Sequence, residues 1–124
     1  MTDTRHFILC ADDDPDILES MNIVLGGAGY EVALAPSAAE ALKAFQVRTP
    51  ELMIVDLMME EIDSGMRLAN QVRELGYKGP LFMLSSVGDS LHGVSDYRSL
   101  GLDGVLQKPI DPRILLRLVS ARLK

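Results

Sequence analysis

The sequence contains a single cysteine, Cys10, and no tryptophan. One thiol cannot form a disulfide within the chain, and it provides no cysteine cluster to hold zinc. No apolar stretch is long enough to cross a membrane, and the acidic residues 12–14 interrupt the segment that a signal peptide would need. These absences make a cytoplasmic protein without a membrane role the expected class.

Basic residues are also in the minority, with 12 lysines and arginines against 18 aspartates and glutamates and a formal net charge of -6. They are scattered, apart from a modest group near the C-terminus that we interpret as complementing a helix end. A chain with this balance repels nucleic acid unless its charges are segregated. We therefore expect no direct nucleic-acid binding.

What the chain does contain is an alternation of strand-like and helix-like segments. Its 124 residues, 48% of them hydrophobic, are enough for one domain with a proper core, and we expect residues 1–124 to form that single domain. Five strands alternating with five helices predict an α/β fold with a parallel sheet between helices. The expected strands are Phe7–Ala11, Glu31–Leu34, Leu52–Val55, Leu81–Leu84 and Gly104–Leu106, and the expected helices begin near Pro15, Ala38, Met66, Ser90 and Pro112.

Polar side chains stand where four of the predicted strands end. In open α/β sheets, ligands bind beyond the C-terminal ends of the strands. We therefore expect these side chains to converge from separate stretches of the chain into one site. They are Asp12 and Asp13 after the first strand, Asp56 after the third, Ser85 after the fourth and Lys108 after the fifth.

These residue types indicate phosphoryl chemistry. Three carboxylates in one place repel each other, and Mg²⁺ would relieve that repulsion because it binds carboxylates together with phosphate oxygens. Zinc is disfavoured, since no histidine or cysteine stands at these strand ends. A carboxylate can attack phosphorus to form an acyl phosphate. Asp56 is the best nucleophile because it stands alone, whereas Asp12 and Asp13 are adjacent and suit metal binding. Lys108 and the Ser85 hydroxyl would share with Mg²⁺ the neutralisation of the phosphoryl oxygens.

The set of motifs resembles the response regulator receiver domain of two-component systems. The resemblance covers nearly the whole chain and is carried by Asp12–Asp13, Asp56–Met59, Ser85 and Lys108–Pro109. It implies the flavodoxin-like receiver fold, with five helices and strand order 2-1-3-4-5. It also implies a cis Lys108–Pro109 peptide bond, which is tolerable only before proline.

The resemblance assigns roles to individual residues. Mg²⁺ would be ligated directly by Asp13, Asp56 and the backbone carbonyl of Met58, and Asp12 would act through water. Ser85 and Lys108 would contact the phosphoryl group.

The same resemblance implies partners. The phosphoryl donor would be a phosphohistidine on a sensor histidine kinase or a histidine phosphotransfer protein. The domain would catalyse only its own phosphorylation and dephosphorylation, as a signalling domain rather than an enzyme with a separate substrate. Phosphorylation would change binding to an output partner or output domain. The expected surface for that partner, or for a homodimer, is the face formed by the fourth helix, fifth strand and fifth helix.

Two departures from the family pattern favour an alternative function. Glu60 and Glu61 stand where the loop after the acceptor aspartate commonly has proline and glycine, and Ser64 stands where the turn commonly ends in glycine. Val105 replaces an aromatic residue whose rotation couples phosphorylation to the output face. The alternative is a receiver-like interaction module that is never phosphorylated.

A second alternative is a phosphatase of the haloacid dehalogenase type. In that class the nucleophilic aspartate follows the first strand, and a second aspartate stands two residues later. Asp14 and Asp16 have this spacing. The assignment leaves Asp56 without a role, and the chain is short for that class.

Overall fold

The structure is a computed structural model that describes residues 5–59, 64–86 and 101–123. No helix within these ranges is long and apolar enough to span a membrane. The helix expected over residues 90–100 lies outside the described residues. The described elements are strands β1 (Phe7–Ala11), β2 (Glu31–Ala35), β3 (Leu52–Asp56), β4 (Leu81–Ser85) and β5 (Gly104–Gln107), with helices α1 (Pro15–Gly27), α2 (Ala38–Val47), α3 (Ser64–Glu74) and α4 (Pro112–Arg122).

The strands form one parallel sheet in the order β2-β1-β3-β4-β5, which confirms the expected topology. Every residue of β1, β3 and β4 is buried, which explains why these strands are continuous apolar runs in the sequence. Successive residues point to opposite faces, so Ile8 and Leu9 lie in separate cores. Helices α2 and α3 cover the core that contains Leu9, and α1 and α4 cover the other.

Three helices begin at the residues where the sequence predicted a start, which are Pro15, Ala38 and Pro112. Asp14, Ser37 and Asp111 each accept a hydrogen bond on the side chain from a backbone N–H in the first turn of the helix that follows. After α1, Gly29 has a φ of 98°, a conformation that glycine adopts without strain. Helix α3 differs from the prediction because it begins at Ser64, two residues before Met66.

The start of β5 is held in register by Arg73 of α3. The Arg73 guanidinium donates hydrogen bonds to the carbonyl oxygen of Gly101 at 3.0 and 2.9 Å and to that of Gly79 at 2.8 Å. It also donates to the Asp103 carboxylate at 3.2 Å, which in turn accepts the N–H of Leu81 at 2.9 Å. These contacts fix β5 beside β4, and the C-terminal end of β5 carries Lys108 to the edge of the sheet where the other polar residues lie.

Candidate metal and phosphoryl site

The C-terminal ends of β1 and β3 bring together three carboxylates. Asp12 and Asp56 are buried, at 0% and 4% exposed, whereas Asp13 is exposed. One carboxylate oxygen from each of the three residues lies within 4.8 Å of the others. The sequence-predicted aspartates therefore form a single acidic cluster that is open to solvent on the Asp13 side.

Lys108 places one positive charge inside this cluster. Its Nζ lies 3.1 Å from Asp12 Oδ2 and 3.2 Å from Asp56 Oδ2, and its side chain is 17% exposed. The register of β5 against β4 pairs Ser85 with Gln107, so that Lys108 emerges directly beside the end of β4. One ammonium group against three carboxylates leaves the cluster with an excess of negative charge.

That excess perturbs the ionisation of the cluster. Burial, followed by the charge of Asp12, raises the pKa of Asp56 from 3.8 to about 6, although Lys108 opposes the rise. Burial acts to lower the pKa of Lys108, but its contacts with Asp12 and Asp56 outweigh burial and the net shift is upward. Lys108 is therefore protonated at neutral pH, and the charged form of Asp56 is held at an energetic cost.

The donor set fits a hard divalent cation. Asp12 Oδ1 accepts the backbone N–H of Asp14 at 2.9 Å. Asp12 Oδ2 is fully buried and accepts no well-aligned hydrogen bond within the described part of the chain, although the Lys108 ammonium is close. Carboxylate oxygens with free lone pairs, one of them on the exposed Asp13, are what Mg²⁺ binds while keeping several waters. The residues present therefore fit Mg²⁺.

Comparison with known proteins agrees with this geometry. The family model for the response regulator receiver domain matches residues 8–120. The chain belongs to the response regulator receiver domain family. It is 34% identical to the DNA-binding response regulator MtrA of Mycolicibacterium smegmatis, over 100% of this chain but 53% of MtrA. The receiver thus spans about half the length of that relative, and 46% of the transcriptional regulatory protein PhoP of Bacillus subtilis.

Solved receiver-like structures share its fold. A putative response regulator from Chloroflexus aurantiacus superimposes with a TM-score of 0.85 at 34% identity, over 97% of this chain and 98% of that one. The chemotaxis response regulator CheY4 of Vibrio cholerae gives a TM-score of 0.84 at 29% identity, over 97% of this chain and 100% of that one. These likenesses confirm the receiver fold that the sequence motifs predicted.

The remaining predicted residues of the receiver site are placed as follows. Ser85 is buried at the end of β4, and its hydroxyl donates to the carbonyl oxygen of Ser86 at 3.3 Å. The side chain of Met58 is 42% exposed. The Lys108–Pro109 peptide bond is cis, as the resemblance implied. Val105 is partly buried and packs against the core, while residues 60 and 61 lie outside the described ranges.

Two residues at the start of α3, Ser64 and Gly65, hold the turn after Asp56. Ser64 Oγ accepts the N–H of Met59 at 2.8 Å, and the Gly65 N–H donates to the Leu57 carbonyl at 2.8 Å. A Cβ added at Gly65 would lie 2.1 Å from the Asp56 carbonyl oxygen. This glycine stands one residue after Ser64, the position where the turn of the family pattern commonly ends in glycine. The Ser-Gly pair before the helical pattern was the signal that could have found it.

Replacing Gly65 with alanine tests this close approach. We expect Gly65→Ala to lower the free energy of unfolding by about 2 kcal/mol, because the added methyl group meets backbone that cannot move without displacing α3 from β3. Urea unfolding followed by circular dichroism measures the change. Gly27→Ala is the matched control, since a Cβ there meets nothing within 4 Å and is expected to change stability by at most about 1 kcal/mol, upward. Equal stability of both variants would contradict the packing argument.

Proposed function

We propose that this receiver domain accepts a phosphoryl group on Asp56, in a Mg²⁺-dependent reaction, from a phosphohistidine on a sensor histidine kinase or a histidine phosphotransfer protein. The observation that supports this most is the pairing of the buried Asp56 carboxylate with Lys108 beside Asp12 and Asp13. Such an arrangement offers a nucleophile, a fixed cation for phosphoryl oxygens and a carboxylate pair for a metal. A surface that only binds partners has no physical need for this combination.

Each residue has a proposed role in the transfer. Asp13, Asp56 and the Met58 carbonyl would ligate Mg²⁺ directly and Asp12 through water, and the ion would supply positive charge to the phosphoryl oxygens.

An Asp56 carboxylate oxygen attacks phosphorus. The new O–P bond forms as the donor's N–P bond breaks, and the electron pair of that bond goes to the imidazole nitrogen. The Lys108 ammonium, which lies 3.2 Å from Asp56 Oδ2, and the Ser85 hydroxyl neutralise the oxygens of the transferred group.

The perturbed ionisation of Asp56 is consistent with this role. A carboxyl group with a pKa of about 6 is ionised at neutral pH, yet its anion is more basic than that of an ordinary aspartate. That anion would attack phosphorus as a stronger nucleophile than an ordinary aspartate, and the added negative charge of the phosphoryl group would be balanced by Lys108 and Mg²⁺. We propose only two reactions for this domain: its own phosphorylation from a donor and its own dephosphorylation.

We propose further that residues 1–124 are one receiver domain, that it acts in the cytoplasm, and that phosphorylation changes its binding to an output partner or to a second copy.

MtrA is by name a DNA-binding regulator, but this receiver spans about half its length and carries a formal charge of -6, so the domain itself is not proposed to bind DNA. The proposed output surface includes β5 and α4, which is the fifth helix of the predicted order, and Ile114 on α4 is 51% exposed.

Two alternative functions can be compared with phosphoryl acceptance on Asp56: binding of partners without phosphorylation, and a phosphatase activity. Val105 in place of the aromatic switch residue favours a receiver that binds partners without phosphorylation. The phosphatase alternative is disfavoured, because the Asp14 carboxylate, which would be the nucleophile, caps α1 by accepting the backbone N–H of Asp16 at 2.9 Å.

The proposal is tested by the mass of the intact protein after incubation with acetyl phosphate and Mg²⁺, repeated with phosphoramidate. We expect the gain of one phosphoryl group, no gain in EDTA, and borohydride reduction that marks Asp56 in the peptide map. No gain with either donor would overturn the phosphoacceptor function in favour of the binding-only receiver. Catalytic turnover of a simple phosphomonoester would instead support the phosphatase.

A further inference from the structure

The turn after β3 is held by the first two residues of α3. The Leu57 carbonyl accepts the N–H of Gly65, and the Met59 N–H donates to Ser64 Oγ, both at 2.8 Å. Ser64 itself is only 4% exposed, so its hydrogen bond to Met59 is shielded from competing water. Both ends of residues 57–59 are therefore tied to a helix that packs directly on the backbone of Asp56.

The hydrogen bond to Ser64 also fixes the direction of a carbonyl group. The Met59 N–H and the Met58 C=O belong to one peptide unit, which is planar, and in the trans form its N–H and C=O point in opposite directions. Among the described residues the only cis bond is Lys108–Pro109, so the Met58–Met59 unit is trans. Rotating the Met58 carbonyl would require the Met59 N–H to leave Ser64, and a buried donor without an acceptor is costly.

We propose that Ser64 is a positioning residue for the metal site. By holding the Met59 N–H, its hydroxyl oxygen orients the Met58 carbonyl for Mg²⁺ before the ion binds. Ser64 does not touch the ion, and it acts through the peptide unit that it anchors, as residues behind the direct ligands commonly do. The inference rests on the proposed function, since it requires Mg²⁺ at the aspartate cluster.

The test is a Mg²⁺ titration of the wild type and of Ser64→Ala, followed by amide NMR shifts of the aspartate cluster. We expect about tenfold weaker Mg²⁺ binding and faster hydrogen exchange of the Met59 amide in the variant. Ser64→Thr keeps the hydroxyl and is expected to recover most of the affinity. The matched control is Ser37→Ala, which removes a hydroxyl that accepts the N–H of Glu40 at 3.1 Å at the start of α2. This control is expected to bind Mg²⁺ as the wild type does.

The outcomes separate the inference from the function on which it rests. A wild type that binds no Mg²⁺ refutes the proposed function, and the inference is overturned with it. A wild type that binds Mg²⁺ with a Ser64→Ala variant of equal affinity overturns the inference alone. If the variant does not fold, hydrogen exchange in the metal-free wild type decides: a protected Met59 amide supports the anchored peptide unit, and an unprotected one overturns it.

Discussion

Asp56→Asn is expected to gain no mass from acetyl phosphate and, in metal-free buffer at neutral pH, to be more stable than the wild type by about 2 kcal/mol. The amide is nearly isosteric with the carboxylate but is not a nucleophile, so no acyl phosphate forms. The gain in stability has a separate cause. The substitution removes the charge of the buried Asp56 from a cluster of three carboxylates in which one ammonium group, that of Lys108, contacts Asp12 and Asp56.

The stability of the wild type is expected to depend on pH because of the same buried charge, that of the Asp56 carboxylate. The pKa of Asp56 rises from 3.8 to about 6 on folding, so between these values the folded protein binds the proton more tightly than the unfolded chain. The contribution of Asp56 to stability is therefore fully present below the lower value and is lost as the pH rises through the higher one. The slope is about 1.4 kcal/mol per pH unit at most. Asp56→Asn is expected to lack this slope.

Urea unfolding in EDTA between pH 4 and pH 8 measures both effects, with the mass assay run on the same samples. Asp14→Asn is the matched control: it neutralises an exposed aspartate that lies outside the cluster, and asparagine caps a helix as well as aspartate does. The control is expected to be phosphorylated normally and to keep the slope. An Asp56→Asn protein that is less stable than the wild type would contradict the excess of negative charge in the cluster.

Lys108→Met is expected to slow phosphoryl transfer from acetyl phosphate by at least about 100-fold, because it removes a fixed cation from the place where charge develops. It is also expected to lower the metal-free free energy of unfolding by about 2 kcal/mol. Removing one partner of a fully buried ion pair lowers the free energy of unfolding by more than about 2 kcal/mol. The smaller loss is expected here because the Lys108 side chain is 17% exposed. The methionine keeps the bulk of the side chain, so the loss reports on the charge.

Added Mg²⁺ distinguishes a loss of charge from a loss of packing in this variant. A divalent cation at the cluster would replace much of the missing positive charge, so saturating Mg²⁺ is expected to stabilise Lys108→Met by more than it stabilises the wild type. Lys43→Met, at an exposed position on α2, is the control and is expected to change neither stability nor transfer measurably. A variant that stays destabilised in Mg²⁺ by the same amount would indicate packing as the cause.

Sequence patterns were sufficient to predict the described strands and helices and the grouping of Asp12, Asp13, Asp56 and Lys108. The strand predicted at Leu52–Val55 is confirmed, and the helices predicted to begin near Pro15 and Pro112 begin at those residues. A parallel sheet collects the C-terminal ends of its strands at one edge, so the order of the strands along the chain is enough to group the polar residues at those ends. The strand order within the sheet came from the family resemblance, since short-range patterns do not specify which strands pair.

Only the tertiary structure decided which of the grouped residues are buried and which are exposed. Asp12 and Asp13 are identical neighbours in the sequence, yet one is buried against Lys108 and the other is exposed, because the chain turns after β1 and the side chains leave it in different directions. The contacts of Ser64 and Gly65 with the turn after Asp56 likewise do not follow from local patterns. They depend on how closely α3 approaches β3, and that distance is set by the packing of the whole core rather than by local sequence.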